Sequence, residues 1–197
     1  WVRRDDSHCA VGVDLDGEVL AWGEENNLAQ LDGEQQTRIR LVCEDVLDAA
    51  VEPADIVLAM NFSYYLFMNR IDMLAYFESV RAGLVDDGIF FLDAYGGYDA
   101  HRNIVEEREC EGFTYVWEQA NFNPIDGSMD CFIHFAFSDG SKMDRAFSYP
   151  WRLWTLPEIR ELLEEAGFSD VTVYWEGTDE DTQEGDGIYT PSETGDA

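Results

Sequence analysis

Acidic residues follow three short strand candidates, and the spacing of these acids is where chemistry is to be sought. Asp14 closes AVGV at 10–13, Glu44 and Asp45 follow RIRLVC at 38–43, and Asp93 closes IFFL at 89–92. An unbroken apolar run of this length reads as a strand buried on both faces, as in a parallel sheet. In an open α/β sheet, ligands gather at the carboxyl ends of the strands. A carboxylate there can accept two hydrogen bonds from the vicinal hydroxyls of a ribose, and Asp14 is the candidate for that contact. The alternative for Asp14 is a turn carboxylate or a helix cap. Asp45 and the backbone N–H of Val46 form an acceptor–donor pair that matches the edge of an adenine. The carboxylate accepts from the exocyclic amine, and the amide donates to a ring nitrogen. Asn61 ends a further apolar run, ADIVLAM at 54–60, and opens an aromatic cluster of Phe62, Tyr64, Tyr65 and Phe67.

These residues need elements to hold them. Residues 1–8 are polar and read as the last turn of a helix, and 17–31 reads as a helix following the Asp14 strand. A short helical turn at 48–51 precedes the strand at 54–60. Asn69 can cap the next helix, which keeps Ile71, Leu74, Phe77 and Val80 on one side and stops at Gly83. A turn at 85–88 leads to the strand at 89–92. Strands alternating with helices call for a Rossmann-like, doubly wound, mostly parallel sheet with right-handed crossovers.

The pattern then changes. A charged surface helix is expected over 98–109, followed by an antiparallel hairpin insert at about 112–150. Its strands are 113–122 and 129–137, joined through NPIDGS, and 143–149, reached through the turn signal Asp139-Gly140. Trp117, Phe122, Phe132, Phe135 and Phe147 make the insert aromatic, which fits either a substrate lid or ordinary hairpin packing. Thr155 opens the last helix in a capping box with Glu158, Gly167 ends it, and 171–175 (VTVYW) is the closing strand. One domain over 1–175 is expected. From 176 to 197 the composition turns to Glu, Asp, Gly and Thr and reads as a mobile acidic tail, with Ile188 and Tyr189 its docking points.

Bulk properties narrow the classes. With 42 acidic residues against 12 basic ones, the 197-residue chain carries a net charge of -30 and a pI of about 4.1. That charge excludes a nucleic-acid backbone or an anionic membrane as the natural partner. Lys142 is the only lysine, a bias that fits a high-salt habitat, where ions screen self-repulsion, or an Arg-favouring genome. Cys9, Cys43, Cys110 and Cys131 contain no C-x-x-C pair, and His8, His101 and His134 have no metal-ligand spacing, so no metal site is expected. Free thiols point to a reducing cytoplasm. No signal peptide or membrane span is visible.

In order and spacing, VGVDLD, CEDVLDA, ADIVLAMNFSYY, LVDDGIFFLDAYGG and YPWRLWTLPEIRELLEEAGFSDVTVYW resemble the second to sixth strands of the class I S-adenosylmethionine-dependent methyltransferases. The resemblance covers about residues 10–175. It implies methyl transfer from S-adenosylmethionine to a small-molecule or unidentified acceptor. The cofactor-binding residues are then Asp14, Leu15, Asp45, Val46, Asn61 and Phe62. Candidate walls for the methyl-transfer pocket are Tyr64, Tyr65, Tyr95, Trp151 and Trp154, with Tyr65, Tyr95 and Arg152 the catalytic candidates; for the tyrosines the alternative is core packing. Arg152 would clamp a substrate carboxylate, and its alternative is a structural salt bridge.

Two features depart from the family. WVRRDDSHCA, before Asp14, contains no glycine, whereas the family places a glycine-rich turn after its first strand, which lies between the second and the fourth. The family also ends with an antiparallel strand beside the fifth, where this chain has a polar tail. A fragment truncated at both ends is the expectation that follows. The competing functions are a degenerate methyltransferase-like module that only binds a partner and a nicotinamide-dependent dehydrogenase, in which an acid at the second strand end also meets a ribose.

Overall fold

β1 (Ala10–Asp14) runs parallel to β2 (Ile39–Cys43), with Asp14 in register with Cys43. The computed structural model describes residues 1–179 and 185–194. The chain divides into two compact units, Trp1–Val57 with Glu78–Ile89 and Leu58–Phe77 with Phe90–Ala197, where the sequence led to one domain over 1–175.

In the first unit the crossover from β1 to β2 is built from three short pieces. Asp16 caps α1 (Gly17–Asn26) by accepting from the amides of Glu18 and Val19. The helix expected to reach residue 31 stops at Asn26, whose side chain turns back to donate to the Trp22 carbonyl at 2.9 Å. Asn competes for nearby backbone groups in this way and is a poor helix interior residue. A 3₁₀ turn at Leu28–Gln30 follows. α2 (Gly33–Thr37) then begins with a capping box between Asp32 and Gln35. Residues 1–8 are not the end of a helix but two tight turns, closed by Arg4 N–H to Trp1 O and His8 N–H to Asp5 O. The Trp1 ring stacks on His8 with centroids 3.8 Å apart. Arg38 ties these turns to the start of β2 by donating to the carbonyls of Asp5 and His8, each at 2.8 Å. The turn expected at 48–51 falls earlier, at 46–48.

β3 (Ala54–Ala59) pairs with β4 (Leu84–Leu92). Among the described residues no ladder joins this pair to β1–β2, so the single parallel sheet expected is two separate pairs. β4 spans 84–92 as strand, yet the chain folds back on itself over 84–88, where a turn was expected. A Cβ at Gly88 would meet Leu84 at 2.9 Å and the Val85 carbonyl at 3.1 Å, a close approach that glycine permits. α3 (Arg70–Ala82) has the expected cap, with the Asn69 side chain accepting from the Asp72 amide at 3.0 Å. Its buried stripe is Met73, Tyr76, Phe77 and Val80, whereas Ile71 is 78% exposed. The stripe therefore begins two residues later than the sequence pattern placed it.

The second unit holds a four-stranded antiparallel sheet in the order β5–β6–β7–β8, comprising β5 (Ile104–Cys110), β6 (Phe113–Ala120), β7 (Ser128–Phe137) and β8 (Lys142–Arg152). The helix expected over 98–109 is only a 3₁₀ turn at Asp99–His101, and IVEEREC is strand instead. Pairing decides this, because all seven residues of β5 find partners on β6, from Ile104 opposite Gln119 to Cys110 opposite Phe113. The Asp139-Gly140 turn joins β7 to β8, with Gly140 at φ 86°, a conformation glycine adopts without a side-chain clash. α4 (Leu156–Glu165) has the expected Thr155–Glu158 capping box and buries Ile159, Leu162 and Leu163.

The closing strand starts three residues late, as β9 (Tyr174–Thr178), and pairs antiparallel with β10 (Gly185–Pro191). Part of the stretch expected to be a mobile tail is thus a hairpin. Ile188 and Tyr189, expected to dock, are exposed on β10. The remainder of the tail, 180–184 and 195–197, lies outside the described residues.

Candidate functional site

The parallel register of β1 and β2 brings their acidic ends to one rim of the first unit. Asp14 ends β1 opposite Cys43, and Glu44 and Asp45 follow at once. The Cys43 thiol lies 3.6 Å from the Leu15 carbonyl, so the two chain ends are neighbours. Each carboxylate holds its own turn: Asp14 Oδ1 accepts from the Asp16 amide at 2.8 Å, and Asp45 Oδ1 accepts from the Leu47 amide at 2.9 Å. The turn role weighed for Asp14 is therefore present, and the helix cap falls to Asp16. Leu15 and Val46 are exposed beside them, and the Val46 carbonyl lies 3.5 Å from the Ser79 hydroxyl. The exposed Asp14 and the half-buried Asp45, with an exposed apolar residue after each, make a rim that can accept hydroxyl and amine donors.

In the second unit Asn61 and Phe62 both take the left-handed conformation, at φ 59° and 53°. Non-glycine residues rarely hold it, and Phe62 has no side-chain amide or carboxyl to stabilise it locally. Asp93 holds it instead: its two carboxylate oxygens accept from the Asn61 amide at 2.8 Å and the Phe62 amide at 2.9 Å. The acid ending the 89–92 run is thus a clamp on the bend after β3, a role that nothing local in the sequence signals.

Tyrosines extend the clamp. Tyr64 donates to the Asp93 carbonyl at 2.6 Å. The Tyr65 hydroxyl donates to the Tyr95 carbonyl at 2.8 Å and accepts from the Tyr95 amide at 3.1 Å. Burial pushes the Tyr65 hydroxyl up to about 12, outweighing the Tyr95 and Tyr64 hydrogen bonds, and moves Tyr64 upward as well. Both stay protonated and serve as fixed struts. The Tyr95 hydroxyl donates to Gln119 Oε1 at 2.8 Å. Gln119, 1% exposed, donates in turn to the carbonyls of Asp99, Ala100 and Arg102. Sequence reasoning missed Gln119, yet a signal was there. It follows Phe113, Tyr115 and Trp117 at period two, so a polar residue falls on an otherwise aromatic face.

Of the expected aromatic walls, Tyr65, Tyr95 and Trp151 come together around Phe62, with Tyr65 and Trp151 centroids 5.9 Å apart. Phe62 has its ring centroid 5.9 Å from Tyr65, 5.7 Å from Tyr95 and 6.1 Å from Trp151. Trp154 is a buried core residue whose indole donates to the Phe67 carbonyl at 3.1 Å. Arg152 is engaged internally, stacked 3.7 Å over Trp154 and paired with Glu158 at 2.9 Å, as in the salt-bridge alternative. Partial burial raises the Glu158 carboxyl, but the Thr155 hydrogen bonds and the Arg152 charge outweigh it and hold it below its usual range. The insert's aromatics do not share one face. Phe132 lies under the Arg145 guanidinium at 4.2 Å, and Phe122 meets His101 edge-on. Two clefts of about 390 Å³ lie elsewhere, one beside α4 and β9–β10 and one beside Leu28 and Ile39, and neither is lined by a candidate residue. Among the described residues no His, Cys, Asp and Glu side chains group as metal ligands.

Neither a protein-family model nor a curated protein sequence matches the chain. Solved structures do. A S-adenosylmethionine-dependent methyltransferase from Clostridium acetobutylicum is 20% identical over 87% of this chain and 67% of its own, with a TM-score of 0.65. The CcbJ methyltransferase from Streptomyces caelestis is 13% identical over 84% and 64%, at 0.66. The amino pentose methyltransferase CalS10 from Micromonospora echinaspora, solved with S-adenosylmethionine bound, is 16% identical over 90% and 71%, at 0.63. The chain spans about two thirds of the length of these structures. Its fold is accordingly the Rossmann-like α/β fold of the class I S-adenosylmethionine-dependent methyltransferases.

Proposed function

We propose that this chain binds the adenosine of S-adenosylmethionine at the β1–β2 rim and serves methyl transfer to a small-molecule acceptor. The observation that carries the reading is the arrival of Asp14 and Asp45 at one end of a parallel strand pair. The rim fits such a group: Asp14, beside Leu15, is proposed to accept from the ribose hydroxyls, and Asp45 with the Val46 amide to read the adenine edge. The cofactor supplies an electrophilic methyl on a positive sulfonium, and the chain's task is alignment and exclusion of water. Asn61 and Phe62 are the proposed cofactor-bordering residues of the second unit. The faces of Phe62, Tyr95 and Trp151 are proposed to favour the sulfonium by about 0.5–2 kcal/mol each. Tyr65 and Arg152, whose polar groups are engaged within the protein, are proposed to position these walls.

The charge of -30 supports a small molecule over a nucleic acid as partner. The free cysteines, of which Cys9 and Cys43 are exposed, support a reducing cytoplasm. No helix among the described residues is long and apolar enough to cross a membrane.

The competing reading is a partner-binding module without catalysis. Calorimetric titration with S-adenosylhomocysteine separates the two. Saturable binding is expected, and no heat at saturating ligand would remove the methyltransferase reading.

A further inference from the structure

His134 stands where the β7–β8 ladder breaks. Pairing is regular from Ser128 opposite Arg152 to Ile133 opposite Phe147, and it resumes with Phe135 opposite Met143. Asp144, Arg145 and Ala146 therefore face His134 alone, as a bulge. Arg145 takes the left-handed conformation there, at φ 51°, which a residue other than glycine holds only when its surroundings impose it. His134 supplies that hold: its Nδ1 accepts from the Arg145 amide at 3.1 Å. An accepting Nδ1 carries no proton, so the ring proton is on Nε2, which donates to Glu118 Oε2 at 3.0 Å. Alternation along β8 would put Arg145 on the face of Met143, Phe147 and Tyr149. The bulge turns it onto the opposite face, where its guanidinium lies 4.2 Å over Phe132.

The charges around the ring show what a second proton would do. Glu118 reaches it from β6, and Asp144 Oδ1 lies 3.8 Å from Nδ1 on the β8 side. Arg145 is the cation beside them. Glu107 on β5, beyond Val116 in the same row, Asp130 on β7 and Lys142 opposite Ala136 are the next charges on that face. A proton on Nδ1 would turn an acceptor into a donor facing the Arg145 N–H, and two donors cannot bond each other. Asp144 is placed to accept that proton instead. We propose that His134 is a pH-operated latch on the β8 bulge. Neutral, it holds Arg145 in the left-handed bend and over Phe132. Protonated, it exchanges the Arg145 amide for the Asp144 carboxylate and releases the arginine. Histidine is the side chain whose charge changes between about pH 5 and 8. The inference does not rest on the methyl-transfer reading.

Nitrogen-15 NMR of the full chain tests it. Near pH 7.5, toward the upper end of that range, the His134 ring should show a bare Nδ1 and a protonated Nε2. A protonated Nδ1 there would overturn the proposal. On acidification to about pH 5 the protection factor of the Arg145 amide should fall at least tenfold, in step with the appearance of the Nδ1 proton, while amides of β6 keep theirs. Constant protection, or a loss while the ring stays neutral, would overturn it. His134→Asn puts a carbonyl oxygen near the place of Nδ1 and cannot titrate. With unchanged circular dichroism it should hold Arg145 protected at both pH values, and a loss equal to that of the unaltered chain would overturn the proposal as well.

Discussion

The two units are made of different residues. All twelve phenylalanines and all nine tyrosines fall in the second unit, whereas the first, which carries Asp14 and Asp45, has only Trp1 and Trp22 as aromatics. Of the buried apolar residues only Val2, Val80 and Leu84 belong to the first unit. Their strand-end acids differ in the same sense. Asp14 and Asp45 each bind an amide two residues on, while Asp93 reaches back 31 and 32 residues to hold Phe62 and Asn61. A carboxylate satisfied by its own turn leaves the fold little dependent on it and stays available to a ligand. One that joins distant segments is structural.

Hydrogen exchange should show the largest contrast. Amides of β6 and β7 should exchange on the order of 100-fold more slowly than those of β1 and β2, since local opening is easiest where few apolar side chains are buried. Equal protection would erase the distinction. Next in size is Asp93→Ala, which strands two amides in a left-handed bend and should cost about 3 kcal/mol, a fall in Tm of about 6–12 °C. Asp93→Asn should recover part of that loss. Gln119→Leu removes the acceptor of the Tyr95 hydroxyl and the donor to the Ala100 and Arg102 carbonyls, and should cost about 2 kcal/mol in denaturant unfolding.

Alkali should act on the second unit through its buried tyrosines. Burial raises the hydroxyls of Tyr65 and Tyr76 from 10.0 to about 12. Their folded forms hold the proton more tightly than the unfolded chain does. The stability they contribute is therefore complete below pH 10 and lost as pH rises toward about 12. The tyrosinate absorbance of these rings should emerge only in that window and together with loss of far-ultraviolet ellipticity; emergence near pH 10 in the folded state would contradict the packing. Smallest is Thr155→Ala, which removes the α4 cap and should cost about 1 kcal/mol.

Local signals in the sequence were the legible ones. The Thr155–Glu158 box, the Asn69 cap and the Asp139-Gly140 turn depend on residues within a few positions of one another, and each forms as read. The β1 and β2 ends were legible for the same reason, because an apolar run closed by an acid is a contiguous pattern. What the sequence hid depends on distant partners. IVEEREC becomes strand because β6 offers it a ladder, and the polar stretch at 185–191 becomes strand because β9 pairs with it. Asp93 and Gln119 acquire their roles from segments that only the fold brings near. Arg152 looked available in a charge-poor stretch, but Glu158, six residues on, reaches it across the turn into α4.

The central claim is that Asp14 serves a ligand and not the fold, and one paired measurement addresses it. Asp14→Ala should melt within about 1–2 °C of the unaltered chain, as expected for an exposed residue, and should bind S-adenosylhomocysteine at least tenfold more weakly, about 1.4 kcal/mol. An unchanged affinity in a folded Asp14→Ala variant would contradict the assignment of the ribose to that rim.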